Sequence, residues 1–255
     1  MVNLYSKRIQ IAPVGFEIDR VVIPAKKEKA EKVYLMVHKN RTEDKATKYA
    51  AEIQKKLKAA KIETELVYCD WQNIEEITRV ARDLILKEAD SEIAINLASG
   101  SKNHAIGLDR ACMTVRKREN IHPFYPEAKK WNAGKYPHQQ SEGVKRIKQV
   151  PIHRIIVPEP ELIEALKVIK RNAVDIPTKK GMKGIKKKDL AKALYGNDSK
   201  QNLTKLQRNI TQPLKKTWRA INWFDEDEKV GRSDWIFLTN EGIYLRYVLK
   251  NEETY

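Results

Sequence analysis

The sequence predicts two domains: an α/β domain with a mainly parallel sheet, then a smaller domain of helices and a β-hairpin. Three observations support this. The first 150 of the 255 residues alternate strand and helix signals, and parallel strands need such crossovers. A proline-marked connector follows at 150–166, and beyond it the chain becomes rich in lysine. We place the boundary near residue 155, which gives domains 1–155 and 156–255.

The elements of the first domain follow from apolar spacing. Asn73 stands where an N-cap is expected, ahead of apolar residues at helical spacing. No helix is predicted in the loop after the first strand, residues 12–24. This order indicates a Rossmann-like fold. Strands are predicted at 7–16, 32–40, 63–70, 91–98 and 121–127, and helices at 41–61, 71–90 and 102–117.

The second domain begins with a helix near 161–171 and a loop rich in Gly and Lys, 178–187. A short helix ending at Gly196, a longer helix over 199–221 and a hairpin follow, and the last stretch is predicted to be helical. Three helices followed by a hairpin are typical of a winged helix-turn-helix.

Composition narrows the classes of partner. A net charge of +16 and a pI near 9.6 favour anionic partners, nucleic acid first. No apolar run reaches the about 18 residues of a membrane span, and no signal peptide is recognisable, so we expect a soluble cytoplasmic protein without membrane contact. Cys69 and Cys112 lack CxxC spacing, which predicts buried free thiols, no metal and no cofactor.

The turns after the first and fourth strands are the predicted ligand edge, because parallel sheets bind ligands at strand carboxyl ends. Ser99-Gly100-Ser101-Lys102 leads into a helix, whose N-terminal N–H groups suit a phosphate. The turn matches neither a P-loop nor GxGxxG, and a plain connection is the open alternative. In the first turn, Phe16 either stacks on a base or fills the core, and the core is favoured. Glu17 and Asp19 are given capping, ribose or Arg20-pairing roles.

Segments 9–22, 32–40 and 93–108 together resemble the CARF (CRISPR-associated Rossmann fold) domain, especially archaeal CARF transcriptional regulators with a C-terminal winged helix. The likeness covers Arg8 to Glu127 in sequence and the rest by architecture. The family's fourth-strand loop commonly reads Thr-Gly-Gly-Thr-Lys, so Ser99 and Ser101 keep the hydroxyls and one glycine is missing. The predicted ligand-binding residues are Pro13, Val14, Gly15, Phe16, Ser99, Gly100, Ser101, Lys102 and His104.

The resemblance implies a homodimer whose two-fold cleft binds a cyclic oligoadenylate, with Lys102 of each subunit near the phosphates. His104 is expected either to contact a phosphate or ribose 2′-hydroxyl or, as favoured, only to pack on its helix. Segment 127–143 mixes Trp131, Tyr136 and His138 with lysines, which suits a lid over the cleft or an ordinary loop.

A DNA surface is predicted in the second domain. The window 179–219 holds thirteen Lys or Arg and two Asp. In the helix within 197–218, three apolar residues share one face and leave the polar ones to read bases and hold phosphates, although a dimerisation helix is the alternative. The residues assigned to DNA are Lys186, Lys187, Lys188, Lys200, Gln201, Asn202, Lys205, Arg208, Asn209, Lys215 and Lys216, with Lys229 and Arg232 at the hairpin tip.

The function expected from the sequence is therefore a transcriptional regulator that senses a nucleotide. One alternative is a ring nuclease that cleaves cyclic oligoadenylate without a metal. An effector nuclease is disfavoured, because the basic window offers only Asp189 and Asp198 as carboxylates. The remaining alternative is a nucleic-acid-binding module without ligand control.

Overall fold

The computed structural model describes residues 6–40, 42, 44–115, 119–132, 138–152, 158–177, 179–225 and 233–249. Its contacts divide the chain into two compact units, Met1–Ile156 and Val157–Tyr255. The predicted boundary at residue 155 and the hairpin tip with Lys229 and Arg232 lie outside the described residues.

The first unit is a mixed α/β structure with a mostly parallel sheet, which confirms that prediction. Its strand order is β3-β2-β1-β4-β5-β6, and β6 alone among these strands runs antiparallel to its neighbour. The strands are β1 (Arg8–Pro13), β2 (Lys32–His38), β3 (Glu63–Cys69), β4 (Glu92–Asn96), β5 (Ile121–Trp131) and β6 (Ser141–Gln149). The helices are α1 (Asp19–Lys27), α2 (Thr47–Ala59), α3 (Ile74–Lys87) and α4 (Lys102–Thr114).

Strand order reverses between β1 and β4. β1 pairs in parallel with β2 on one side and with β4 on the other. The loops that leave these two strands therefore lie side by side at the carboxyl edge of the sheet, the edge at which such folds bind ligands. This is the edge at which the sequence predicts the ligand.

Two elements of this unit differ from the sequence prediction. The loop predicted over 12–24 contains α1, which buries Val21, Val22 and Ala25 although Pro24 lies inside it. Residues 141–149 form β6, a strand that the sequence analysis does not predict; 141–143 fall at the end of the segment predicted as a lid or an ordinary loop. β6 is the edge strand of the sheet and carries exposed charged side chains. Its sequence therefore shows little of the apolar alternation that predicts a strand.

Apolar side chains pack on both faces of the sheet. Both cysteines belong to this core, are free of disulfides, and have a pKa raised by burial to about 12. The prediction of buried free thiols is confirmed. The Asn73 side chain accepts a hydrogen bond from the backbone N–H of Glu76 at 2.9 Å, so it is the predicted N-cap of α3.

The second unit has its own four-stranded sheet, in the order β7-β8-β10-β9, and its own core. β8 lies within the region predicted as a loop. Across the described residues of the chain, no helix has the length and apolar character needed to cross a bilayer. The elements are α5 (Pro160–Arg171), β7 (Val174–Asp175), β8 (Lys183–Lys186), α6 (Lys187–Tyr195), α7 (Lys200–Leu206), α8 (Gln212–Lys216), β9 (Ile221–Asp225), β10 (Ser233–Leu238) and α9 (Asn240–Val248).

The helix predicted over 199–221 is interrupted. A π-helical turn, Gln207–Thr211, separates α7 from α8, and the helix ends at Lys216. Pro213 has no N–H to continue the α-helical ladder, which explains why the backbone widens just before it. Gly196 ends α6 in the left-handed conformation, with φ of +84°.

Candidate functional site

The loops after β1 and β4 touch through their backbones. A Cβ added to Gly15 would lie 2.7 Å from the backbone N of Gly100. Gly100 has φ of +81°, and a Cβ there would lie 2.8 Å from the Cβ of Pro13. Both glycines are therefore required for the approach of the two loops. The structure brings the two predicted ligand loops together.

A cavity of about 460 Å³ opens beside this contact. It is lined by six of the nine residues that the sequence assigns to the ligand: Val14, Gly15, Phe16, Gly100, Ser101 and His104. The other three lie beside it. Pro13 packs behind Gly100, Ser99 is buried, with no hydrogen-bond partner for its Oγ in the described structure, and Lys102 is exposed in the first turn of α4.

Ser101 and His104 form a reciprocal cap at the start of α4. The Ser101 Oγ accepts from the backbone N–H of His104 at 3.3 Å, and the His104 Nδ1 accepts from the backbone N–H of Ser101 at 3.2 Å. Nδ1 therefore carries no proton, and Nε2 lies 4.0 Å from the Sγ of Cys69.

His104 is only 3% exposed, and burial lowers its pKa to about 4. At neutral pH the imidazole is uncharged. It holds the turn in place and offers no positive charge to a phosphate. The reciprocal cap forms because Ser101, at the N-cap of α4, and His104 stand three residues apart at the start of the helix.

Phe16 is not a core residue, contrary to the favoured sequence interpretation. It is 37% exposed, and its ring centroid lies 5.5 Å from that of Tyr49. Burial of its neighbour Glu17 leaves Phe16 at the surface of the loop, where it lines the cavity. An aromatic wall is thus available to a planar group.

Sequence reasoning missed the cavity residues contributed by the loops after β2 and β3. Trp71 is 37% exposed, stands edge-on to His38 at 6.1 Å between ring centroids, and accepts through its carbonyl from the Asn103 side chain at 3.1 Å. These residues follow parallel strands at the same carboxyl edge, so the rule that selected the other two loops could have found them. The missed residues are His38, Asp44, Lys45, Ala46 and Trp71, together with Gln140.

Residues 138–141, which we name the strap, hold the first loop from outside. The Gln139 Oε1 accepts from the backbone N–H groups of Ile18 at 2.9 Å and Asp19 at 3.1 Å, where α1 has no side-chain cap of its own. The Gln140 N–H donates to the carbonyl of Phe16 at 2.9 Å. Part of the predicted lid therefore contacts the ligand loop, whereas Lys135 and Tyr136 lie outside the described residues.

A buried ion pair supports the same loop. The Arg20 Nη1 lies 2.9 Å from both carboxylate oxygens of Glu17, and its Nε donates to the carbonyl of Pro126 at 2.8 Å. The Ser141 hydroxyl donates to Glu17 at 2.9 Å. The predicted pairing of Glu17 with Arg20 is confirmed, and Asp19 accepts from the N–H of Gly143 at 2.9 Å.

In the helix predicted to bind DNA, the apolar side chains face the core and most of the polar ones are exposed. Leu206 and Ile210 are buried in the core of the second unit, and Leu203 packs against it. Lys186 and Lys205 lie near aromatic rings, with Nζ 5.2 Å from Trp235 and 4.8 Å from Tyr195. Exposed side chains are those of Lys188, Lys200, Gln201, Lys205, Arg208, Asn209 and Lys216, whereas Lys186, Lys187 and Lys215 are half-buried.

Asn202 differs from its predicted base-reading role. Its Nδ2 donates to the backbone carbonyl of Asn197 at 3.2 Å and to the Asn197 Oδ1 at 2.8 Å. Its backbone N–H donates to the Ser199 hydroxyl, the N-cap of α7. Asn202 therefore stabilises the start of the helix, and its amide donors are already occupied.

No cluster of three or more His, Cys, Asp or Glu side chains suited to a metal ion occurs in the described parts of the chain. The candidate site combines backbone N–H groups, aromatic rings, hydroxyls and cations with the carboxylate of Asp44. The cations, backbone N–H groups and aromatic rings are of the kinds that suit an anion carrying a planar base.

Similarity to a known family lies in the first unit. The family model described as "HFX_2341_N:-like, N-terminal" matches residues 8–131, which contain both ligand loops. The uncharacterized protein MJ1513 of Methanocaldococcus jannaschii is 28% identical over 187 residues, 64% of this chain and 56% of that protein. The chain therefore spans little more than half the length of this relative.

Two solved structures share similarity at low sequence identity. Can2 from Sulfobacillus thermosulfidooxidans, in complex with cyclic tetra-adenylate, is 12% identical, with 47% of this chain and 32% of that chain covered and a TM-score of 0.39. Csm6 of Enterococcus italicus, bound to cyclic hexa-2′-fluoro-hexa-dAMP, is 11% identical, with 58% and 43% covered and a TM-score of 0.41.

Proposed function

We propose that this protein is a DNA-binding transcriptional regulator whose first unit, a CARF domain, binds a cyclic oligoadenylate in the cleft of a homodimer. The observation that carries the proposal is the contact of Gly15 with Gly100 beside a 460 Å³ cavity at the strand carboxyl edge. The sequence resemblance assigns these same two loops to the ligand.

The chemistry around the cavity suits a nucleotide. Phe16 and Trp71 offer partly exposed rings for a base, and Lys45 in the cavity wall and Lys102 at the start of α4 supply positive charge. The N-terminus of α4, a helix of 13 residues, adds its dipole. Ser101 is half-buried in the wall, where its Oγ accepts from the backbone N–H of His104 and lies 3.0 Å from the His104 Nδ1.

The second unit supplies the support for DNA binding. Its helix, strands, two further helices and hairpin, with β8 paired to β10, support the interpretation of this unit as a winged helix-turn-helix. α7 presents Lys200, Gln201 and Lys205 to solvent, and Arg208 and Asn209 follow in the π-helical turn. A two-fold dimer then favours an inverted-repeat operator. A ligand can change the affinity of the protein for DNA only if it binds two conformations of the protein with different affinities.

The test is thermal unfolding of the full chain with cyclic tri-, tetra- or hexaadenylate. At 100 times its dissociation constant a ligand adds about 2.7 kcal/mol, which raises the midpoint by several degrees. We expect a rise with one ring size that Lys102→Ala reduces and Lys58→Ala, an exposed lysine of α2, leaves unchanged. If no ring size raises the unfolding midpoint, the proposal that the first unit binds a cyclic oligoadenylate is wrong. If duplex DNA still binds, the protein is then a nucleic-acid-binding module without ligand control.

A ring nuclease is the second candidate, because Ser101 and the backbone N–H groups at the start of α4 lie at the cavity, where they can align a ribose 2′-hydroxyl with the adjacent phosphate. Attack of a ribose 2′-oxygen on the adjacent phosphorus forms a 2′,3′-cyclic phosphate and breaks the bond from phosphorus to the 5′-oxygen; the 2′-hydroxyl proton passes through water to that leaving oxygen, so the step needs alignment and no metal. Chromatography of the cyclic ligand after prolonged incubation decides between the two: linear products lost in Ser101→Ala favour the nuclease, and an intact ring favours the sensor.

A further inference from the structure

Two exposed aromatic rings on β5 are held by a single buried arginine. The Cζ of Arg20 lies 4.9 Å from the ring centroid of Tyr125 and 5.2 Å from that of Trp131. Arg20 is 2% exposed, whereas Tyr125 is 37% and Trp131 61% exposed. We name this pair of rings the aromatic platform.

The aromatic platform is held in one orientation because hydrogen bonds fix the Arg20 guanidinium that contacts both rings. Glu17 and the carbonyl of Pro126 hold the guanidinium through hydrogen bonds of 2.8–2.9 Å. A guanidinium over an aromatic face is attractive, so the rings keep their orientation without being buried. The remaining ring surface of Trp131 is available to a planar group at little cost in side-chain entropy.

Cations flank the rings on the same face of the hairpin. Cross-strand pairing places Lys148 beside Tyr125 and Arg146 beside Glu127, and partners across a ladder share a face. Lys129 lies two residues from Trp131 and so shares that face as well. β5 and β6 together carry five Lys or Arg against two Glu, of which Glu127 pairs with Arg146 and Lys148. The surface is therefore aromatic and positively charged.

We propose that the aromatic platform binds single-stranded nucleic acid, with bases stacked on Trp131 and Tyr125 and phosphates paired with Lys129, Arg146 and Lys148. Alternating aromatic and cationic side chains suit a single strand, because its bases expose their faces and those of a duplex do not. The same positive charge on the edge strand β6 opposes hydrogen-bonded pairing of β6 with the β6 strand of a second copy. This activity is separate from the cavity and from the duplex surface of the second unit.

The test is fluorescence anisotropy of the full chain with labelled single-stranded decamers of uridine and of thymidine, without any cyclic nucleotide. Trp131→Ala should weaken binding about tenfold, the order expected when one base–aromatic stack is lost. Binding of a duplex of equal length should stay within twofold of the unchanged protein. The uridine and thymidine arms show whether RNA or DNA is preferred.

Tyr68→Ala is the matched control, since Tyr68 is an exposed aromatic residue on β3, the opposite edge of the sheet. Equal affinities of the unchanged protein and Trp131→Ala, or equal losses in Trp131→Ala and Tyr68→Ala, overturn the proposal. If Trp131→Ala does not fold, Lys129→Ala combined with Lys148→Ala decides instead. The slope of log affinity against log salt should fall by about 1.4, and an unchanged slope overturns the proposal.

Discussion

Single residues determine whether the two ligand loops can meet, and two glycines do so for different reasons. Gly15 does not have a positive φ, so its constraint is space: the backbone of Gly100 occupies the position of a side chain. Gly100 adds a left-handed backbone to the same crowding. Backbone cannot move aside as a flexible side chain does, and therefore a methyl group at either position separates the loops.

We expect Gly15→Ala to lower the free energy of unfolding by about 1–3 kcal/mol, the usual cost of overpacking, and to abolish ligand binding. Gly181→Ala serves as a control for a methyl group in open space, because no atom lies within 4 Å of an added Cβ there; its positive φ of +80°, which Gly15 lacks, means that any loss reports backbone strain without crowding. Chemical denaturation and ligand titration of both variants provide the measurement. Normal ligand affinity in Gly15→Ala would contradict the close approach.

His104 makes the stability of the first unit depend on pH. Its pKa in the folded protein is about 4, compared with 6.5 for an ordinary histidine. Between those values the unfolded chain binds the proton and the folded protein does not. The free energy of unfolding therefore falls as the pH drops from 6.5 to 4, by about 3 kcal/mol in total.

The check compares unfolding midpoints at pH 7.5 and pH 4.5 for the unchanged protein and His104→Asn. The decrease on acidification should be smaller in His104→Asn, while the carboxylates contribute equally to both proteins. His122→Asn, at a half-exposed surface position paired with Glu92, serves as the control. An identical decrease in all three proteins would refute the assignment.

Prediction from sequence at this scale succeeded where a residue type is tied to a local geometry. Glu17 and Arg20 stand three apart in a loop that becomes helical, which allows their pairing. Trp71 and Lys45 were missed because they reach the cavity from other loops, and only the sheet order brings them there. Asn202 was misread because its partner, Asn197, lies in the preceding turn.

At the scale of elements, α1 and the strap depend on each other. α1 has Ile18 at its N-cap position, which offers no side-chain acceptor, and Gln139 supplies one from 120 residues away. The helix was missed in the sequence for this reason: its cap is not local. The strands β1 to β5 were predictable because each is apolar and bounded by turn residues, whereas the charged edge strand β6 was not.

Gln139→Ala should cost about 1 kcal/mol, the usual effect of losing an N-cap, and should increase hydrogen exchange at the backbone amides of Ile18 and Asp19. Gln139→Glu should keep the protection, since a carboxylate accepts the same hydrogen bonds and suits the positive end of the helix. Hydrogen exchange followed by mass spectrometry tests both variants. Unchanged exchange in Gln139→Ala would show that the strap does not cap α1.

For the molecule as a whole, charge is concentrated in one region. Thirteen of the fifty Lys and Arg residues lie in the window 179–219, together with only two of the thirty-four acidic residues. The described cations of α6 and α7 are largely exposed. Such a distribution supports association with a polyanion over long range and makes the affinity depend on salt.

We expect the affinity for duplex DNA to fall by about a thousandfold between 50 and 200 mM salt if six or so phosphates are contacted. Arg208→Ala and Lys200→Ala should each reduce the slope of log affinity against log salt by about 0.9. Lys55→Ala, an exposed lysine of α2, should leave it unchanged. Equal slopes for all three variants would place the DNA surface elsewhere.

The two buried thiols allow the opening of the first unit to be measured separately from that of the second unit. Both cysteines of the chain lie in that unit, one at the end of β3 and one in α4, and the second unit has none. A thiol reagent can therefore modify the protein only when the first unit opens, whatever the second unit does. The rate of thiol modification therefore measures how often the first unit opens. A ligand bound at the cavity should slow this modification in proportion to the fraction of protein that is occupied.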